Sequence, residues 1–322
     1  MRIAKTICGA AMLAAASIGH AASAYPDKPM RMLVGFAAGG GTDITARMVA
    51  SKMSGDLGQT VVVENRTGSG GMLATAAVAR APADGYTLLM AAAADTVQHL
   101  VRKDLSYNLL RDFAPVSLVV TVPFALAVHP AVPAANVAEL IRLARARPAK
   151  LNYASSGVAS SAHLSNELFN SMARVKIVHV PYRGVAEGVT GVATGQVDMV
   201  FGSFPAVIPL ADAKKIRLLA VSTPYRSVVM PSLPTVAESG LPGYARYGWY
   251  GVLVPRDVPA NVVDRLNATI VAAVGSPDMR DSFIKQGLEP KTTTREAFAR
   301  FLQTEVDQSA GLVRSADLSA QP

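Results

Sequence analysis

Apolar and polar positions along this chain switch repeatedly between the period of a strand and the period of a helix. Residues 30–36 form an apolar run that reads as a buried strand, and 42–57 carry the three-to-four residue spacing of a helix. Further strands are predicted at 60–64, 86–92, 115–121, 124–129, 151–154, 177–180, 197–201, 217–222 and 249–254. Helices are predicted between them at 72–80, 136–147, 160–172, 185–194 and 205–213. From Pro259 onward the pattern is almost entirely helical, in segments 260–274, 278–287 and 294–312. Several ends carry their own signals. Asn136 with Glu139 and Thr293 with Glu296 resemble capping boxes, and Ser276-Pro277 offers an N-cap followed by proline at the first helical position. Strand–helix alternation with short Gly/Pro breaks predicts an α/β fold of mostly parallel sheet flanked by helices.

No internal repeat or low-complexity linker interrupts the pattern. The apolar stretch 115–129 is long enough for the chain to pass from one lobe to another as a strand. One crossing is expected near 119–124 and the return near 249–254. That divides the chain into one lobe of 25–123 plus 253–322 and a second lobe of 124–252. From Ser315 to Pro322 the apolar content is too low to predict an ordered end.

The first residues change the picture of where the protein works. Arg2 and Lys5 precede an apolar core over 6–18, and Ala22-Ser23-Ala24 fits a cleavage site, so 1–24 read as a secretory signal and the mature chain begins at Tyr25. Cys8, the one cysteine, falls inside that signal, which leaves an exported, soluble, disulfide-free protein held by its core. Half the chain is apolar and the formal charge is +8, with the basic residues scattered. Arg142, Arg145, Arg147 and Lys150 alternate with apolar residues as a solvated helix face, and no basic-aromatic surface points to nucleic acid.

The densest chemical signal is GFAAGGGTD at 35–43, between the first strand and the first helix. Glycines there expose backbone N–H groups where a helix dipole begins, which makes a seat for an anion; equally, they permit a flexible turn. Gly41 stands where a phosphate loop requires its lysine, so a nucleotide is excluded. A second strand–loop–helix junction holds Ser155, Ser156, Gly157, Ser160 and Ser161, as donors to a ligand or as simple N-caps. A third holds Tyr182, Arg183 and Gly184, and a fourth ends a strand at Gly202-Ser203. Trp249 reads as packing or hinge support. Catalytic patterns are missing: there is no G-x-S-x-G, and His99, His129, His163 and His179 are widely spaced. No catalytic residue, metal or cofactor is expected.

Taken in order, GFAAGGGTDITAR, VVVENRTGSGG, PADGYTLLM, DFAPVSLV, KLNYASSG, HVPYRG, GQVDMVF, LPTVAESGLPGY and WYGVLVP resemble the periplasmic solute-binding receptors of tripartite tricarboxylate transporters, the Bug family. The resemblance runs from Tyr25 to about Ala310. It implies a two-lobed type II periplasmic-binding-protein fold that closes by a hinge over a small carboxylate: a dicarboxylate, tricarboxylate or aromatic acid. It implies one jaw at Gly41, Thr42 and Asp43, and another at Ser155, Ser156, Gly157, Ser160 and Ser161. Tyr182, Arg183 and Gly184 stand beside the second jaw, and Gly202 and Ser203 complete the set. His163 matches a family histidine that packs, caps or touches ligand. The implied partners are integral-membrane transporter subunits or, alternatively, a sensor kinase, with the receptor itself a monomer; an exported serine hydrolase is the remaining alternative. Three departures stand out. Gly202-Ser203 replaces a frequent aspartate, a loop at 91–96 (AAAADT) replaces a glycine- and hydroxyl-rich one, and Gln308-Ser309-Ala310 lacks a tryptophan, a change expected to concern only the outer helix.

Overall fold

The computed structural model describes residues 25–102, 105–158 and 160–315; the expected signal and the residues after 315 lie outside them. The chain opens with β1 (Met30–Val34), α1 (Gly41–Leu57), β2 (Val61–Asn65), α2 (Met72–Ala79), β3 (Thr87–Ala92) and α3 (Ala93–Val101). α1 buries Val49, Ala50, Met53 and Leu57 on one face and stops at Gly58, whose φ of 66° suits a residue without a side chain. β1 lies between β2 and β3, parallel to both.

The segment 91–96 is not a loop. β3 runs through Ala92, and α3 starts at once, with the Asp95 carboxylate accepting from the Ala92 N–H at 2.8 Å. No Ser, Thr, Asp or Asn stands at the N-cap, so the start signal is displaced three residues inward and the alanine run conceals it.

β4 (Phe113–Val122) and β5 (Phe124–Val128) are separated by Pro123 alone, and each joins a different sheet. The second sheet then grows through α4 (Val137–Ala146), β6 (Asn152–Ser155), α5 (Ser161–Ala173), β7 (Val178–Pro181), α6 (Val185–Ala193), β8 (Met199–Ser203), α7 (Phe204–Asp212) and β9 (Arg217–Val221). The chain returns as β10 (Gly248–Pro255), followed by α8 (Ala260–Gly275), α9 (Pro277–Lys285), β11 (Glu289–Pro290) and α10 (Arg295–Ser315). The strand orders are β11-β4-β10-β3-β1-β2 and β7-β6-β8-β5-β9. Parallel pairs form the β1–β3 and β6–β8 cores, and the strands that join the lobes run antiparallel to their neighbours. β10 pairs along its full length with β4, so 248–252 belong with the six-stranded sheet rather than with the second lobe, where the sequence division had them.

α10 ties the halves together. It packs on α3 and β4 and reaches α5, where Leu312 and Val313 join Val97 and Leu164 in an apolar cluster. Beside it, Arg246 and Glu305 are both buried: Arg246 Nη1 lies 3.5 Å from Glu305 Oε2, and Arg246 Nη2 donates to Ser309 Oγ at 3.2 Å. Trp249 Nε1 donates to the same Glu305 oxygen at 3.1 Å. The 308–310 stretch is therefore part of the junction between lobes, not merely of an outer helix, because Ser309 fills the place beside Arg246.

Candidate functional site

Between the sheets lies a cleft of about 490 Å³, walled by residues from both. The glycine-rich loop delivers Thr42 to it at the start of α1. The N-cap of α1 is Gly40, which has no side chain to cap the helix, so the first-turn N–H groups keep their hydrogen-bonding capacity. Gly41 must be glycine for a steric reason: a Cβ there would stand 2.7 Å from the Tyr250 hydroxyl. Tyr250, on β10, shares a hydrogen bond with Thr42, so the loop is pinned to a strand at the lobe junction; burial pushes the Tyr250 hydroxyl's pKa up, against that bond.

Asp43 behaves differently from the expectation. Its carboxylate is buried and accepts from the Gly39 N–H at 2.9 Å, from Asn65 Nδ2 at 2.8 Å and from Arg47 Nε at 3.0 Å. Burial alone would raise its pKa, but the hydrogen bonds from Arg47, Gly39 and Asn65 and the Arg47 charge outweigh burial and hold it below the usual range. The side chain thus shapes the loop and does not line the cleft.

From the second lobe, Ser156, Ser160 and Ser161 line the cleft, and Ser160 also caps α5 by accepting from the His163 N–H at 3.3 Å. Ser155 and Gly157 do not. Ser155 Oγ is buried behind the loop, 2.6 Å from His179 Nε2 and bonded to both the N–H and the carbonyl of Gly157. His179 stacks on His163 with ring centroids 3.9 Å apart, and Tyr153 closes the stack with its hydroxyl on Glu167 Oε1 at 2.5 Å. His163 packs in this stack, and its backbone N–H is the donor that the Ser160 cap accepts from.

The third junction lies beside the cleft and does not line it before Val185. Tyr182 lies on its own helix, where a Cβ at Gly191 would come within 2.5 Å of the tyrosine oxygen, and the Arg183 side chain is exposed. Arg183 and Gly184 stay outside the cleft, and Val185 lines it instead. Ser203 reaches the cleft at the start of α7, but Gly202 is a packing glycine: a Cβ there would meet Val207 at 2.5 Å and Val189 at 3.0 Å. No aspartate fits that position in this packing.

The remaining walls come from residues that were not expected in the site. Ala92 comes from the end of β3, Ala93, Ala94 and Gln98 from α3, Gly70 from the turn before α2, and Phe36, Val122, Phe124, Trp249 and Tyr250 from the loop and joining strands. Burial lifts the pKa of Asp95, just behind them, to about 6, against the hydrogen bonds from the Ala92 N–H and Thr75. Among the described residues lining the cleft, none is ionisable except Tyr250.

The stacked histidines predict a pH response. Burial lowers the His163 pKa to about 4, and burial followed by repulsion from His163 does the same at His179, with Glu167 opposing. Between the ordinary value of 6.5 and about 4, each ring takes up a proton only on unfolding, so stability is complete above that window and is lost as pH falls through it. Asp95 acts in the opposite sense, so the informative quantity is a difference. The Tm of the native protein should fall more steeply from pH 6.5 to 4 than that of His163→Phe; parallel curves would show that the stack does not titrate this way.

Comparison with known proteins agrees with this geometry. Residues 45–318 match the family described as Tripartite tricarboxylate transporter family receptor. BugT of Bordetella pertussis is 34% identical over 295 residues, covering 91% of this chain and 90% of that protein. Rpa4515 of R. palustris, solved with adipate, superposes with a TM-score of 0.78 at 36% identity, covering 91% of this chain and 98% of its own. MatC of Rhodopseudomonas palustris, solved with bound malate, gives 0.74 at 29% identity, covering 90% of this chain and 100% of its own. With the family model matching residues 45–318 and relatives above 30% identity along nearly its whole length, the chain belongs to the tripartite tricarboxylate transporter family of receptors.

Proposed function

We propose that this protein captures a small carboxylate in the interlobe cleft by hinge closure and delivers it in the periplasm to the membrane subunits of a tripartite transporter. The observation that carries this reading is the character of the walls. α1, α3, α5 and α7 all begin at the cleft, and no cationic side chain lines it among the described residues. Helix N-termini attract negative charge, and hydroxyls of Thr42, Ser156, Ser160, Ser161 and Ser203 stand ready to donate. Five or six such charge-assisted bonds, at ~1.5–3 kcal/mol each, exceed the ~8 kcal/mol of micromolar binding before ordering costs. Contacts from the second lobe then favour the closed state.

Adipate bound to Rpa4515 and malate bound to MatC support the ligand class. Among the described residues no acidic side chain lines the cleft, so the ammonium of an amino acid finds no counter-charge there. The Ser155–His179 pair is the feature that would favour a hydrolase, but its hydroxyl is buried and held by Gly157, away from the cleft. We therefore read the protein as a receptor without a catalytic step.

A thermal-shift panel of mono-, di- and tricarboxylates and aromatic acids tests the proposal. A matching ligand at a hundredfold excess over its Kd stabilises by ~2.7 kcal/mol, which appears as a clear rise in Tm. No rise across the whole panel would overturn the reading.

A further inference from the structure

A second cavity of about 280 Å³ adjoins the main cleft. The two meet along Val122, Ser203 and Tyr250, which line both. The first turn of α1 stands at the junction, with Thr42 facing the large cleft and Gly41 the small chamber. An anion seated on that turn is therefore within reach of either space.

The chamber's own walls set what it accepts. Ile44, Pro205 and Leu288 make it apolar, and Gln286 borders it with an exposed side chain. Gly287 and Pro205 approach closely in its wall, where an added Cβ on Gly287 would stand 2.8 Å from Pro205 Cδ. Among the described residues lining it, only Tyr250 is ionisable, and the nearby Gly39 N–H is already taken by Asp43. A second carboxylate entering here would meet no cation and few free donors, since Ser203 and Tyr250 are shared with the main cleft and Tyr250 is already bonded to Thr42, whereas methylene or aryl groups need none.

We propose that this chamber receives the apolar tail of a monocarboxylate whose head is seated on α1, so that the receptor selects its ligand by tail length. The inference rests on the carboxylate reading above. Burial of each methylene at ~0.8 kcal/mol corresponds to about fourfold in affinity.

Calorimetric titration of the mature protein with butanoate, hexanoate, octanoate and decanoate, and with diacids of equal length, tests it. The expected result is about fourfold tightening per methylene until the chamber is full, with each diacid at least tenfold weaker than its matched monoacid. Ile44→Phe, which fills the chamber, and Gln286→Trp, which narrows it from an exposed position, should each collapse the octanoate-to-butanoate affinity ratio toward one. Circular dichroism confirms that both variants fold. Flat length dependence, tightening that both variants leave intact, or diacids that bind better than monoacids would each overturn the chamber assignment while leaving the carboxylate receptor standing. Binding by no acid of any length would overturn both.

Discussion

Glu305→Ala should lower the free energy of unfolding by about 3–5 kcal/mol, the effect of breaking a buried ion pair from one side. Glu305 accepts from Trp249 Nε1 and faces Arg246 Nη1, and both charged residues are buried. Removing the carboxylate strands a guanidinium whose remaining partner is Ser309 and whose Nε already has no partner among the described residues. It also leaves the indole N–H without its acceptor, while the cavity weakens the packing of Trp249 on Phe298 and Phe301. Burial raises the Glu305 pKa against the opposing pull of Arg246 and Trp249, as expected for a carboxylate that depends on its partners to remain charged.

The measurement is urea unfolding of Glu305→Ala beside the double variant Arg246→Met/Glu305→Leu. Replacing both charges with apolar groups of similar size is commonly neutral or better, so the double variant should recover most of the loss. If both variants are equally unstable, the carboxylate is important for its shape and not for its charge. Because Arg246 precedes β10 while Glu305 sits on α10, the pair also fixes the strand that carries Tyr250 into the site.

How much of this was legible in the sequence depends on how local each signal is. The start of α1, the Ser160 cap and the Pro277 start depend on neighbours within one turn, and all three appear where the pattern placed them. Arg246 and Glu305 lie 59 residues apart, Ser155 and His179 lie 24 apart, and no periodicity links either pair. Asp43 looked like a ligand group because it follows three glycines; its real partner, Asn65, arrives on the next strand. Tyr182 and Arg183 do not line the cleft; a polar letter after a strand does not say which way its side chain turns. The wall at the β3–α3 junction was missed for the opposite reason: Ala92, Ala93 and Ala94 bring backbone and no functional group, and such a contribution leaves no letter to read. Gly202 shows the same limit, since its role is set by Val189 and Val207 across the packed layer.

The glycine loop supplies the sharpest binding prediction. Gly41→Ala should weaken the preferred carboxylate about 10²–10⁴-fold, the equivalent of two charge-assisted hydrogen bonds at ~1.5–3 kcal/mol each. The cause would be displacement and not lost chemistry, because alanine keeps the backbone N–H. Its Cβ would stand 2.7 Å from the Tyr250 hydroxyl, and the next atom of that ring, Cζ, is 3.5 Å away, which is ordinary contact. Either the loop or the tyrosine must move, and Thr42 moves with both through its bond to Tyr250. Tyr250→Phe removes the one atom that clashes. Alone it should weaken binding only severalfold, through the lost Thr42 bond, and combined with Gly41→Ala it should bring affinity back close to the Tyr250→Phe value. Calorimetric titration of the three variants separates the possibilities. Rescue means that the glycine is required for the approach of Tyr250. A double variant as weak as Gly41→Ala would instead mean that the residue is needed for loop flexibility, and that the pinning of this jaw to β10 has no part in binding.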